Sequence, residues 1–462
     1  MITNNTIRRI LSVLFLLCGW LTTSAQTGAV LTSLYSFTGT NDGASPQAGL
    51  VQASGGNFYG TTTYGGTYGF GAIFEISATG RLTSLYSFTG TNDGAWPWAG
   101  VVPGSDGNFY GTTDGGGTNG GNGTVFQFST NGSLTSLHSF TGGTDGAGPV
   151  GGLVRGSDGN FYGTTSGGGT NGRGTVFQFS TKGSLTSLYS FTGGSDGAFP
   201  MDTLVQGRDG NFYGTTGGHA PHYPCGVFKI SANGALTALY AFSPPYLEFP
   251  AGLVQGSDGN FYGTTDYGGT YGRGSVFQIS ANGALTNVYS FTGGSDGGYP
   301  TDALVPGSDG SFYGTTGFGG NTNLNNGNGY GTVFNVTTNG ALTGLHSFSG
   351  TNDGANPYAA LAQGSDGNFY GTTQYGGTNS LGTVFRLTVK PPLTMTVSGA
   401  NVLLSWPTNY GSAWFLQKTV DLGAAGFVSI TLPEPPMILN GQFIVTLPIN
   451  TDQKFYYRLI SP

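Results

Sequence analysis

Short hydrophobic runs separated by Gly-rich polar stretches recur along most of the chain. One unit contains four such runs: AGVVP (99–103), NFYGTT (108–113), TVFQFS (124–129) and LTSLHSF (134–140). Each run is rich in Val, Phe, Tyr, Leu or Thr and is bounded by Gly, Asn, Asp or Ser, which predicts four β-strands, here called a to d. Ser-Asp-Gly joins strands a and b, and Thr-Asn-Gly joins strands c and d. Both segments predict tight hairpin turns.

This four-strand unit is repeated seven times. The segment FYGTT begins at positions 58, 109, 161, 212, 261, 312 and 369, a period of about 50 residues that is typical of propeller blades. Strands c and d are apolar at consecutive positions, as expected of sheets that are covered on both faces. We therefore expect the repeated segment to be structural. In this interpretation the Gly of strand b permits the close approach of a neighbouring sheet.

The order of the strands predicts how the array closes. The first run is a lone strand d, Leu31–Phe37, and the last run of the array is a strand c, Gly382–Leu387, with no strand d after it. Pairing of these two runs would complete the seventh sheet and leave no open edge. The sequence thus predicts an all-β fold, with a seven-bladed β-propeller over residues 31–388 that is closed by its N-terminal strand.

The recurrent blocks DGNFYGTT, GTVFxIS and LTxLYSF resemble those of the GloVer (Gloeo/Verruco) tandem-repeat proteins of bacteria. The resemblance covers roughly residues 31–388. It implies a secreted or cell-surface protein, and it implies no known reaction.

The repeat stops at a linker, residues 389–392. The segment 393–462 contains alternating runs that include LTMTVS, VLLSWP, QFIVTLP and KFYYRLI. Several short alternating strands predict a small antiparallel β-sandwich. This region is similar to fibronectin-type or immunoglobulin-like modules of secreted bacterial proteins.

The N-terminus has the pattern of a secretory signal peptide over residues 1–25. Arg8 and Arg9 precede an apolar run, Ile10–Leu21, and small residues follow at Thr23, Ser24 and Ala25. The apolar run is shorter than the ~20 residues that a membrane-spanning helix needs, although an uncleaved anchor stays open as an alternative. We therefore predict a secreted or cell-surface protein with no membrane span in the mature chain.

Composition narrows the range of partners. Charged residues make up 8% of the 462 residues and the net charge is −7. With no run of Arg or Lys, the sequence argues against binding to nucleic acid or to anionic membranes. Removal of Cys18 with the signal would leave Cys225 as the only cysteine, so no intrachain disulfide could form. We expect a monomer without a cofactor.

The two faces of the predicted disc differ in sequence. The a–b and c–d turns are uniform, whereas the b–c and d–a loops vary, and variable loops on a rigid scaffold are the usual place for binding. Every d–a loop contains Pro, and six contain Asp-Gly, which favours turns over calcium ligation. Aromatic residues flank this Pro, so we predict a site for a glycan or another cell-surface component, with inter-blade packing as the alternative. The predicted binding residues are Trp96, Trp98, Phe199, Tyr299 and Tyr358.

The fourth repeat departs from the pattern. Its b–c loop, GGHAPHYPCG (217–226), contains His219, His222 and Cys225. These side chains are of the types that bind zinc, although their spacing matches no established zinc signature. The sequence therefore predicts a metal site here, with a degenerate repeat as the alternative.

The sequence offers few catalytic motifs. It contains no Gly-x-Ser-x-Gly and no His-Glu-x-x-His segment. Asp202 and Asp302 lie at equivalent starts of strand a, near the predicted channel mouth, and are the acid/base candidates if the protein is an enzyme. The sequence favours a binding protein. A carbohydrate-active hydrolase or lyase at the same face is the alternative.

Overall fold

A computed structural model describes most of the repeat array and the strands of the C-terminal region. The described residues are 23–24, 28–217, 223–242, 249–391, 393–398, 401–407, 414–419, 428–429, 436–439, 442–448 and 456–460. The chain divides into two compact units, one of residues 30–388 and one that combines residues 1–29 with 389–462. The described residues are almost entirely strand and loop, with one short 3-10 helix at Asn325–Gly327.

Residues 30–388 contain seven four-stranded antiparallel sheets, numbered 1 to 7 here in chain order of their strands b. In each sheet the order is a-b-c-d. The strands a are Val51–Gln52, Val102–Pro103, Val154–Arg155, Val205–Gln206, Pro250–Gln255, Val305–Pro306 and Ala362–Gln363. The strands b are Phe58–Thr62, Phe109–Thr113, Phe161–Thr165, Phe212–Thr216, Phe261–Thr265, Phe312–Thr316 and Phe369–Thr373. The strands c are Ala72–Ile76, Thr124–Phe128, Thr175–Phe179, Gly226–Ile230, Ser275–Ile279, Thr332–Val336 and Thr383–Val389. The strands d of sheets 1 to 6 are Leu82–Ser87, Leu134–Ser139, Leu185–Ser190, Leu236–Ala241, Leu285–Ser290 and Leu342–Ser347.

The seventh sheet takes its strand d from the other end of the chain. Ala29–Ser36 lies beside Thr383–Val389, as the strand order predicts. The backbone N–H of Phe37 continues the pairing by donating to Gly382 O at 3.1 Å. Phe37 is fully buried. The two ends of the repeat array are thus held together by one sheet.

Each sheet packs on the next through a pair of aromatic rings from strands b. The Tyr of one FYGTT segment meets the Phe of the following one, as in Tyr59–Phe109, with ring centroids 4.5 Å apart. The last pair, Tyr370–Phe58 at 4.0 Å, joins sheet 7 to sheet 1. Rings in such contact add roughly 0.5–1.5 kcal/mol beyond their burial. The seven sheets therefore form a closed, propeller-like ring. The other pairs are Tyr110–Phe161, Tyr162–Phe212, Tyr213–Phe261, Tyr262–Phe312 and Tyr313–Phe369.

The Gly of strand b has a different role from the predicted one. A Cβ on Gly60 would lie 2.5 Å from Phe74 and 2.7 Å from Leu50, and both belong to the same sheet. Gly60 is the cross-strand partner of Phe74. The expectation of close approach by a neighbouring sheet was wrong, because the ring that fills this space comes from the paired strand c.

Strand a is shorter than the sequence predicts in six sheets. The run 99–103 contributes only Val102–Pro103 to the ladder of sheet 2. The carbonyl of Ala99 instead accepts a 3.0 Å hydrogen bond from Thr61 of sheet 1. The start of the run is therefore used to join two sheets, and pairing within its own sheet begins later.

The Asp residues of the d–a loops hold their own turns. Asp93 accepts hydrogen bonds from Thr89 N at 2.8 Å and from Tyr86 Oη at 2.9 Å. The same arrangement recurs at Asp42, Asp196 and Asp296, and His replaces Tyr at Asp145 and Asp353. These contacts agree with the interpretation of the Asp-Gly pairs as turn-forming elements.

The second unit contains two antiparallel sheets that share a core. One has the strand order Thr23–Ser24, Thr394–Ser398, Asn401–Pro407, Gln442–Pro448 and Met437–Leu439, and the other has the order Val428–Ser429, Phe415–Thr419 and Tyr456–Ile460. Trp406 from the first sheet is 3% exposed and lies in one cluster with Leu416 and Leu459 from the second. Thr23–Ser24 falls within the predicted signal peptide, and residues 1–22 and 25–27 lie outside the described residues.

Candidate functional site

A cavity of about 720 Å³ opens among the b–c and d–a loops of the ring, and residues from all seven sheets line it. Short backbone bridges such as Ala44–Tyr64 and Ala95–Gly115 join the two kinds of loop. Both kinds therefore share one face, as the sequence predicts. This face therefore offers a cavity with space for a ligand.

The d–a loops, which contain the prolines, place side chains in this cavity. In several of them the residue before the proline has a strained backbone conformation. Trp96, immediately before Pro97, has a φ of +57°, in the left-handed region that non-Gly residues rarely adopt. Its N–H donates to Phe70 O of sheet 1 at 2.9 Å, and its carbonyl accepts from Asp114 N of sheet 2 at 3.1 Å. These two bonds fix the turn between the sheets, and the residue after the proline then lines the cavity. Ser45, Phe199, Tyr299 and Asn356 have the same conformation, with φ from +54° to +59°.

The structure separates the five predicted binding residues into two groups. Trp98, Tyr299 and Tyr358 line the cavity, whereas Trp96 and Phe199 are not among its lining residues. The ring of Trp96 packs 6.0 Å from that of Phe70 and above Gly115, where a Cβ would come within 2.8 Å of it. Phe199 packs against Tyr223, with centroids 5.5 Å apart.

Four aromatic rings form a continuous arc on one side of the cavity. Tyr267 meets Tyr299 at 5.2 Å, Tyr299 meets Phe318 at 5.7 Å, and Phe318 meets Tyr358 at 6.4 Å between centroids. Tyr358 lies against Gly317, where a Cβ would be 2.4 Å from the ring. Sequence reasoning missed Tyr267 and Phe318. The sequence signal for these residues was the second position after FYGTT, which is aromatic in some repeats and Gly in others.

The carboxyl group of Asp202 accepts a hydrogen bond from Thr215, and this bond differs from those of the equivalent threonines in the other sheets. The first Thr after Gly in FYGTT donates to a carbonyl of the next sheet in six cases, as Thr164 does to Asp202 O at 3.3 Å. The seventh, Thr215, donates to Asp202 Oδ2 at 2.9 Å. Burial, reinforced by the charge of Asp302, raises the pKa of Asp202 to about 7. One of the seven equivalent threonines thus bonds a carboxyl group of the cavity, where the other six bond a backbone carbonyl.

Asp302 is held by the backbone. Its Oδ1 accepts from Ala303 N at 2.6 Å and its Oδ2 accepts from Ala360 N of sheet 7 at 2.7 Å. Burial raises the pKa of this carboxyl to about 6, and the two N–H donors oppose that rise because they stabilise the charged form. The structure therefore brings both predicted acid/base candidates to one cavity with shifted pKa values.

Two further charged residues, not identified from the sequence, line the cavity. Asp266 has its pKa raised to about 6 by burial. Arg273 donates from Nη1 to the hydroxyl of Tyr299, and its guanidinium carbon lies 5.3 Å from the centre of that ring. The lining thus combines three carboxyl groups, one guanidinium group and several aromatic rings.

The predicted metal site falls largely outside the described residues. His219 and His222 lie there, whereas Cys225 is 5% exposed in an apolar cluster with Phe242, Leu253 and Phe261. Burial raises the pKa of the Cys225 thiol to about 11, which disfavours the thiolate that zinc requires. In the part of the chain that the structure describes, no three His, Cys, Asp or Glu side chains are grouped to hold a metal ion. Metal binding by the full loop stays a prediction.

Comparison with known proteins agrees with the fold. The structure of streptogramin B lyase matches with a TM-score of 0.53 at 16% identity, covering 80% of this chain and 99% of the lyase. Virginiamycin B lyase from Staphylococcus aureus, solved as an inactive variant with quinupristin, gives 0.53 at 16%, covering 78% and 99%. An extracellular domain assigned to a one-component system from B. thetaiotaomicron gives 0.51 at 11%, covering 93% and 55%. At these identities the likeness shows the fold alone.

Among curated proteins, none matches this chain. Within the described residues, no helix is long and apolar enough to cross a bilayer. The profile of the Gloeobacter/Verrucomicrobia repeat matches residues 19–224 and 204–412, which together span most of the chain. The chain therefore belongs to the Gloeobacter/Verrucomicrobia repeat family.

Proposed function

We propose that this protein is a secreted seven-bladed β-propeller, with a C-terminal β-sandwich, that binds an extracellular glycan in the cavity of its loop face. The observation that carries the proposal is the aromatic lining of that cavity, Trp98 on one side and the arc Tyr267 to Tyr358 on the other. Aromatic rings bury large apolar faces with little loss of rotamer entropy. Sugars present such faces.

The polar lining suits the same ligand. A sugar hydroxyl can donate to a carboxylate and accept from a protonated carboxyl group, and Asp202 and Asp302 titrate close to neutral pH. The carboxyl groups of both residues are fixed by hydrogen bonds within the fold. The cavity therefore offers preorganised polar groups beside stacking surfaces, the usual composition of a small-molecule site.

A glycan-array screen of the purified chain without residues 1–25 tests the proposal. Any hit is then measured by calorimetry with Tyr358→Ala and with Tyr68→Ala as a matched control. Tyr68 is exposed, and it is not among the residues that line the cavity. We expect Tyr358→Ala to weaken binding at least tenfold, or about 1.4 kcal/mol, and Tyr68→Ala to leave binding unchanged. Equal affinity of both variants would show that the cavity is not the site.

A second candidate function is a carbohydrate-active hydrolase or lyase at the same cavity. Asp202, whose carboxyl group contacts a neutral hydroxyl, can serve as the acid, and Asp302, with two backbone donors on its carboxylate, can serve as the base. Two carboxyl groups in environments that separate their pKa values are the usual acid/base pair of such enzymes. Streptogramin B lyase is a lyase on a similar fold, but the shared fold does not transfer its reaction, so the carboxyl pair carries this candidate.

Turnover assays separate binding from catalysis. A panel of polysaccharides and chromogenic glycosides is incubated with the protein and with Asp202→Asn and Asp302→Asn. If the protein is an enzyme, each substitution should reduce turnover at least 100-fold, the lower range of an acid/base contribution, while retaining binding. If no ligand that binds is converted to product, the protein binds glycans without catalysis and the second candidate function is wrong.

A further inference from the structure

The cavity contains more negative than positive charge. Asp202, Asp266 and Asp302 line it, and Arg273 is the cationic side chain among the lining residues. The guanidinium group already has a partner, because its Nη1 donates to the Tyr299 hydroxyl and its carbon lies over the Tyr299 ring. The described contacts of the Asp202 and Asp302 carboxyl groups are with Thr215 and with backbone N–H groups, none of which carries a positive charge.

Two of the carboxyl groups interact with each other, and the third acts on a hydroxyl of the aromatic arc. The charge of Asp302 is one cause of the raised pKa of Asp202, and the charge of Asp266 raises the pKa of the Tyr267 hydroxyl. Repulsion of this kind costs free energy in the empty cavity whenever the carboxyl groups are ionised. A cation between them would relieve it. The cavity is therefore more favourable for a positive ligand than for a neutral ligand of the same shape.

The kind of cation follows from the rest of the lining. The carboxyl groups do not form a metal-binding group within the described residues. The intervening surface is instead aromatic, with Tyr267, Tyr299, Phe318 and Tyr358 in edge contact. An ammonium group is attracted by the face of an aromatic ring and forms charge-assisted hydrogen bonds with carboxylates. This combination suits an organic amine.

We propose that the glycan bound in the cavity carries free amino groups, which lie between the aromatic arc and the carboxyl groups of Asp202, Asp266 and Asp302. The inference rests on the proposed glycan-binding function and specifies its ligand class. Anionic sugars are rejected by the same charges, because like charges that are brought together in a cavity repel each other.

Matched oligosaccharides test this inference directly. Affinity is measured by calorimetry near pH 7, where the carboxyl groups of Asp266 and Asp302 are mostly ionised. The ligands are N-acetylated chitotetraose, its fully deacetylated form and tetragalacturonate, which are neutral, cationic and anionic. We expect the deacetylated oligomer to bind at least tenfold more tightly than the neutral one, and tetragalacturonate not to bind. Equal affinity for the neutral and cationic oligomers would overturn the inference and leave the glycan proposal standing. Absence of binding by both would count against the two together.

Variants then locate the preference. Asp302→Asn and Asp266→Asn should each reduce the ratio of the affinities for the cationic and the neutral oligomer at least threefold. Asp106→Asn removes the same charge in an a–b turn, outside the cavity lining, and should leave the preference intact. A preference that persists in both cavity variants would arise from the overall negative charge of the protein, and the inference would be wrong. Circular dichroism confirms folding, and the two cavity variants provide independent tests if one fails to fold.

Discussion

Tyr59 donates its hydroxyl proton to Glu75 at 2.9 Å, where the other six sheets use an Asp of the a–b turn. In sheet 1 the turn has Gly55 at the Asp position. Glu75 of strand c also accepts from Asn57 Nδ2 at 2.8 Å, the bond that Asn108 makes to Asp106 in sheet 2. A carboxylate therefore accepts the tyrosine hydrogen bond in sheet 1 as in the other sheets, although in sheet 1 it comes from strand c and not from the a–b turn.

The use of Glu75 in place of a turn Asp leads to a prediction about a substitution and its rescue. Glu75→Gln removes the charged acceptor of two donors and should lower the free energy of unfolding by about 1–2 kcal/mol, as expected for loss of hydrogen bonds to a charged group. Adding Gly55→Asp to Glu75→Gln recreates the arrangement of the other sheets and should restore most of the loss. Urea unfolding measures both variants.

The control for this pair lies in sheet 2. Gln127→Glu places a second carboxylate beside Asp106, which Gln127 Nε2 now contacts at 3.0 Å, and should destabilise the protein. If Gln127→Glu is neutral, or if Gly55→Asp fails to rescue Glu75→Gln, the two arrangements are not equivalent.

Closure by the N-terminal strand predicts a large effect at its buried residue. Phe37→Ala removes a fully buried ring that lies 5.3 Å from Phe74 and should cost about 3–5 kcal/mol. Deletion of residues 27–38 should lower the melting temperature further and reduce solubility, because it exposes the edge of sheet 7. Differential scanning calorimetry measures each form.

Val30→Ala on the same strand is the control, since Val30 is 47% exposed. Its melting temperature should stay close to that of the parent chain. A deletion variant that melts like the parent would show that the strand is not needed for closure.

Asp202 predicts a specific dependence of stability on pH. Its pKa is raised in the folded state, so its neutral form is favoured by folding. The associated stability is fully present below the unfolded pKa and is lost as the pH rises through about 7. Asp202→Asn should therefore gain at least about 1 kcal/mol over the parent chain at pH 8, since one pKa unit is about 1.4 kcal/mol, and little at pH 4.

Asp106→Asn provides a control of opposite sign. Hydrogen bonds from Asn108 and Tyr110 oppose desolvation and leave the pKa of Asp106 below its usual value. Its contribution is present above the unfolded pKa and is lost as the pH falls, so this variant should be less stable than the parent at pH 8. Parallel pH profiles for the two variants would contradict the assignment for Asp202.

The two tryptophans predict different outcomes. Trp98→Ala removes a ring that lines the cavity and should weaken glycan binding at least tenfold. Trp96→Ala should leave the affinity within about twofold and affect mainly stability, because Trp96 packs between two loops outside the cavity lining. Calorimetric titration and thermal unfolding of both variants measure the two effects. If Trp96→Ala weakens binding as much as Trp98→Ala, the site extends beyond the cavity.

Substitution of Cys225 tests the predicted metal site of the fourth repeat. Its buried position in an apolar cluster predicts that Cys225→Ala costs about 1–3 kcal/mol through lost packing, with or without a chelator. Elemental analysis of protein purified without a His tag and soaked in zinc measures the metal content. Stoichiometric zinc that is lost in Cys225→Ala would instead support the ligand set His219, His222 and Cys225.

The sequence by itself determined the repeat, its strands and the pairing of the first strand with the last. These features depend on local patterns: the period of FYGTT, the turn residues at fixed offsets and the strand count. The burial of Tyr110 and the turn role of Asp93 follow from the same patterns. Local rules suffice for sheets 1 to 6 because each is built from one continuous segment, and the count of strands supplies the pairing in sheet 7.

Only the tertiary structure decided which loop residues share the cavity. Trp96 and Trp98 are two positions apart in sequence, yet the left-handed turn at Trp96 separates their side chains. Asp202 and Asp302 are one hundred positions apart, and the closed ring brings both to one cavity. Thr215 bonds the Asp202 carboxyl, and Glu75 takes the place of the turn Asp in sheet 1. Both contacts depend on distances between strands, which no local pattern encodes. The scaffold follows from local sequence, whereas the site follows from how the sheets of the closed ring come together.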